Sequence, residues 1–139
     1  MPMASAKEEP VCNIDAKGLA TRTRAARTAQ AALALLAVAN AADAHKPFLQ
    51  DVPRVALWGL IEVASVGAFL TQEQVTHKTC IKHALARTEQ EGSSTKPVLD
   101  PHKAEVLRAR AVRMIARSTV LGTAVAVGII GLPYVVWSK

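Results

Sequence analysis

Residues 118–137, STVLGTAVAVGIIGLPYVVW, carry no charged side chain. Twenty residues of α-helix rise about 30 Å, the thickness of a bilayer's hydrocarbon core. A second run, residues 52–71 (VPRVALWGLIEVASVGAFLT), is apolar or small at every position from Val55 to Leu70 except Glu62. Two such runs in a chain of 139 residues leave little room for anything but one helical domain. Half the residues are apolar, but only 4% are aromatic. Ala and Val supply the hydrophobicity, and they would bury little area per residue in a water-soluble core. In lipid, small side chains let helices approach closely. The expected fold is an all-α membrane protein, with two to three transmembrane helices and cationic amphipathic extensions.

Glu62 does not defeat insertion of its helix. Nine Val, Leu, Ile and Phe residues lie in that window. At roughly −0.3 to −0.6 kcal/mol each they contribute about −3 to −5 kcal/mol, against about +2.5 to +3.5 kcal/mol for a central acid. An ionisable group at mid-membrane suggests a functional site. Proton exchange, quinone contact and cation binding are the functional readings of Glu62. The structural reading is a carboxylate hydrogen-bonded to a neighbouring subunit, or to Ser65 and backbone.

The chain divides into five stretches. Residues 1–14 read as an extended tail. Residues 15–44 read as a helix capped by Asp15. Its basic first part (Arg22, Arg24, Arg27) leads into an Ala-rich span whose four strong apolar residues make membrane crossing marginal. Residues 51–71 are the Glu62 helix, with Asp51 as its expected cap. Residues 72–99 read as an amphipathic segment and a loop, EGSSTKP. Residues 100–137 open with Asp-Pro, an N-cap followed by proline at the first helical position. There a basic helix with Arg108, Arg110, Arg113 and Arg117 continues without a breaker into the uncharged span. Pro133 is expected to kink the last turn, and Tyr134 and Trp137 suit the head-group belt.

Charge supports three spans. With three, the N-terminal tail holds five Lys and Arg and the 72–117 segment nine, on one side. The 44–54 loop and the C-terminus, on the other, hold two and one. With two spans the sides hold eight and nine, and no bias remains. Net charge is +6, and the clustered arginines point to an anionic phospholipid such as cardiolipin. Topology signalling is the plainer role for the same residues. Nucleic acid is not an expected partner, because no stacking aromatics lie among the basic residues.

Two small-xxx-small pairs, Gly122 with Ala126 and Ala124 with Gly128, fall in the last span, and Ala64 with Ala68 in the Glu62 helix. Each favours close helix packing. His77, Cys80 and His83 have ligand-like spacing and would fan across one face of a helix. They are weak metal candidates, because Zn²⁺ needs a fourth ligand or water and Cys12 and His102 are remote. No cofactor is expected. No nucleophile–base pair, phosphate loop or dinucleotide turn is present, so the chain is not expected to be an enzyme.

The start MPMASAKEEPV is polar and acidic, unlike a secretory signal. Lys17 to Arg27 resembles an Arg-rich targeting helix kept inside the chain. The function expected is a non-catalytic accessory subunit of a large energy-transducing membrane complex, packed on other membrane subunits of a hetero-oligomer. A respiratory-chain complex of the mitochondrial inner membrane is placed first and ATP synthase next, with a plastid or other organelle membrane as the alternative location. Two other functions stay open: a proton- or quinone-handling subunit using Glu62, and a soluble helical adaptor.

Overall fold

The computed structural model describes residues 13–91 and 94–137; most of the tail expected over residues 1–14, including Cys12, lies outside them. The described chain is mostly helical. Helix α1 spans Ala16–His45, α2 Asp51–Thr76, α3 Ile81–Leu85 and α4 Pro101–Trp137. Two short strands, β1 (Thr88–Glu91) and β2 (Ser94–Pro97), pair antiparallel with Thr88 opposite Pro97.

The helix starts follow from their caps. Asp15 accepts the Gly18 amide at 2.7 Å, and Asp100 accepts the His102 amide at 2.9 Å just before Pro101. Each satisfies a donor that a helix N-terminus leaves open. Asp51 is not the cap of α2; Gln50 is, and Asp51 is the first helical residue.

Helices α1, α2 and α4 pack on one another. Helix α2 runs antiparallel to the other two. The C-terminal ends of α1 and α4 meet the start of α2 through Asp43, Tyr134 and Arg54. The upper core joins Leu57 and Ile61 of α2 to Ala126 of α4, with Leu33 and Leu36 of α1 against them. A second cluster, Ala84, Leu107 and Ala111, fastens α3 to the first turns of α4. Among the described residues, α2 and α4 are the two helices long and apolar enough to cross a membrane.

The 72–99 stretch is more structured than an amphipathic segment and a loop. Helix α2 continues to Thr76 and stops where Lys78 takes a left-handed φ of 47°. Asn13 then ties the break down: it accepts the Cys80 amide at 2.6 Å and donates to the Cys80 carbonyl at 3.0 Å. Most of the expected EGSSTKP loop is one arm of the hairpin. Its turn, residues 92–93, lies outside the described residues.

Charge is layered along the helix axes. On α1 no charge falls between Arg27 and Asp43, and on α4 none falls between Arg117 and Trp137. On α2, Arg54 and Glu73 are about 28 Å apart at 1.5 Å per residue, with Glu62 the one charge between them. Large apolar side chains in this belt point outward: Leu35, Val63, Val127 and Leu132 are each more than 60% exposed. Besides Leu57 and Ile61, the helix–helix seams hold small or polar residues, among them Ser65, Ala68, Ser118 and Ala126.

Candidate functional site

Three places bring polar chemistry together, and the first is the closed end of the bundle. Asp43 is fully buried. One carboxylate oxygen accepts the amides of Phe48 at 3.0 Å and Leu49 at 2.8 Å, which shapes the α1–α2 turn. The other accepts Arg54 Nε at 2.7 Å and the Tyr134 hydroxyl at 3.2 Å. One turn deeper, Trp58 Nε1 donates to Asn40 Oδ1 at 3.0 Å. Asn40 Nδ2 donates in turn to the Ile129 carbonyl, also at 3.0 Å. A buried carboxylate with four donors is a well-satisfied group. Its chemistry is that of a latch joining three helices. Tyr134 thus faces the bundle interior, edge-on to Trp58 at 6.1 Å, whereas Trp137 lies against His45 at the exposed rim.

Glu62 is the second place. It is half-buried, and its carboxylate accepts the Thr123 hydroxyl of α4 at 2.5 Å. The partner is therefore in the same chain. Ser65 is not that partner: its hydroxyl is buried and makes no hydrogen bond. Just beyond this pair the two helices are in close backbone contact. A methyl group on Gly122 would lie 2.6 Å from Val66 Cα, so only glycine fits there. Ala126 and Ala68 are buried in the same packing, and Ala64 is half-buried. Ala124 is exposed and Gly128 has open space around it, so the second small-residue pair of α4 faces outward.

The third place is the basic end. Arg22 does not face solvent as an anchor. It is half-buried and bonded to its own Gly18 carbonyl and to Cys80 Sγ, at 3.2 and 2.8 Å. Arg24, Arg27 and Arg108 are exposed. Arg110, Arg113 and Arg117 line one side of a groove of about 840 Å³ between α4 and the end of α2. Glu73 and His77 line the other side. Glu73 lies 3.2 Å from His77 and 3.6 Å from Arg117. Met114, Val120 and Leu121 continue the groove toward the uncharged belt.

No family model, curated protein or solved structure matches the chain. Geometry therefore carries the functional reading.

His77, Cys80 and His83 do not share a helix face. The break at Lys78 turns them apart, and each has its own neighbour: Glu73, Arg22 and Thr88. Among the described residues no His, Cys, Asp and Glu cluster is arranged to hold a metal ion. Burial, with Arg22 and Lys82 nearby, holds the His83 imidazole below its usual range. The latch of Asn40, Asp43, Arg54, Trp58 and Tyr134 is absent from the sequence reading. Its one sequence signal is Pro133, which lacks an amide hydrogen and so leaves the Ile129 carbonyl without its helical donor.

Proposed function

We propose that the chain is a non-catalytic accessory subunit of a large energy-transducing membrane complex, built from three membrane-crossing helices. The observation that carries this reading is the belt between the Arg27–Glu73–Arg117 level and the Asp43–Arg54 level. Across all three helices it holds one charge, and many of its large apolar side chains face outward, while the seams combine Leu57 and Ile61 with small and polar residues. In water this arrangement would expose a continuous apolar surface. Facing lipid and partner helices, it is the favourable one. α1 is the least apolar of the three, and the latch holds it to the other two.

The basic end collects nearly all the cations and suits the positively biased face of an anionic membrane. That fits the mitochondrial inner membrane, with a respiratory-chain complex placed before ATP synthase. Glu62 fits a structural role in this subunit. It is bonded to one hydroxyl, and no second titratable group joins it among the described residues, whereas proton relays use chains of such groups.

Carbonate extraction of isolated membranes tests the assignment. The chain should stay in the pellet. Val127→Arg, on the outward face of α4, should abolish integration at a cost of about 2.5 to 3.5 kcal/mol. Release of the unaltered chain into the supernatant, or normal integration of the variant, would sink the reading. Co-purification in mild detergent identifies the complex.

A further inference from the structure

The groove at the basic end changes character along its length. Arg110, Arg113 and Arg117 recur at helical spacing on one face of α4, and Arg110 and Arg117 are about 10 Å apart along the axis. Within one further turn the same face becomes Val120 and Leu121. Val120 is 69% exposed although it begins the uncharged belt. Arg113 has no ion-pair partner among the described residues. Arg117 has a loose one in Glu73, and its side chain is 64% exposed. Arg110 reaches Thr79 at 3.4 Å, which steadies the lower rim.

We propose that this groove seats one anionic phospholipid, its phosphodiester between Arg113 and Arg117 and one acyl chain along Val120 and Leu121. A guanidinium pair meets phosphate oxygens through charge-assisted hydrogen bonds. The order of the lining, cationic and then apolar, matches the order of groups in the lipid. A free phosphate or an acidic peptide would use the cationic half alone and leave the apolar half wet. The proposal rests on the membrane reading above, and it narrows the lipid contact from all seven arginines to one seat.

Native mass spectrometry of the full chain tests it, after exchange in mixed micelles of phosphatidylglycerol and phosphatidylcholine. The unaltered chain should retain one phosphatidylglycerol. Arg113→Gln with Arg117→Gln should lower that retention about tenfold or more. Lys17→Gln with Lys82→Gln removes the same number of exposed charges from the same end and should change retention less than about twofold. Far-UV circular dichroism checks that both variants keep their helices; a loss of lipid that tracks a loss of helix counts against the proposal. Equal losses in the two variants would mean diffuse attraction and overturn the seat. Displacement by millimolar inorganic phosphate would overturn the lipid as its occupant. Absent retention in a carbonate-resistant chain overturns the seat alone. Release by carbonate is the separate sign that the membrane reading has failed.

Discussion

The side-chain amide of Asn40 sits 3.0 Å from the Ile129 carbonyl oxygen, the one that Pro133 deprives of a helical donor. A residue of α1 thus repairs the backbone of α4, and the same side chain accepts the Trp58 indole of α2. Without the proline, the Ile129 carbonyl would have its own helical donor and would not need Asn40. With it, Asn40 adds a second tie between the three helices beside that of Asp43 with Arg54 and Tyr134.

Asn40→Leu should therefore destabilise the bundle by about 1–3 kcal/mol, because it strands both the Ile129 carbonyl and the Trp58 N–H. Pro133→Ala returns a backbone donor to Ile129, so Asn40→Leu should cost less in that background. A double-mutant cycle by detergent denaturation measures the coupling. Additive costs would show that Asn40 does not serve the gap left by the proline.

Gly122→Ala drives a methyl group to 2.6 Å from the backbone of Val66, and the helices must part to admit it. Overpacking of this kind costs about 1–3 kcal/mol. Gly128→Ala meets nothing within 4 Å and should be neutral, or stabilising by up to about 1 kcal/mol through helix propensity. Thermal melts of the two variants should move in opposite directions or differ clearly in size.

His83 gives a pH dependence of known sign. Its imidazole in the folded chain titrates below the ordinary value of 6.5, chiefly through burial, with Arg22 and Lys82 adding to the effect. Below that value the unfolded chain binds the proton more readily than the folded one. Stability should be full above about pH 7.5, decline as pH falls through 6.5, and level off once the folded group is protonated. His83→Gln should flatten this part of the curve in melts taken between those limits. An unchanged slope in the variant would assign the dependence to another group.

Glu62→Gln keeps an acceptor for the Thr123 hydroxyl and, in the complex proposed above, should leave assembly and coupled activity nearly intact. Glu62→Leu removes the acceptor, a loss of about 1 kcal/mol, and should weaken assembly more. An assembled Gln variant without coupled activity would instead assign Glu62 to proton transfer, since an amide does not titrate.

The starts of α1 and α4 are legible locally, because Asp15 and Asp100-Pro101 act within their own helix turns. The hairpin is not. Its strands TEQE and STKP have no apolar alternation; Val98 donating to the Arg87 carbonyl at 2.9 Å closes the hairpin, and Gln90 donating to the Asn13 carbonyl at 3.1 Å ties β1 to the chain before α1. The second contact depends on where α1 begins, a nonlocal condition. The same holds for His77, Cys80 and His83, whose helical spacing fails because a tie from Asn13 secures the break at Lys78.

By itself the sequence determined the helical character of the chain, the two long apolar helices and the gathering of cations in few segments. These are properties of composition and period, carried by each segment alone. Only the tertiary structure decided which small residues touch, that Arg22 turns inward, and that Asp43 holds Arg54 and Tyr134. Such pairs depend on the relative rotation and register of helices far apart in the chain. Hydrophobic periodicity does not specify these when Ala and Val cover every face.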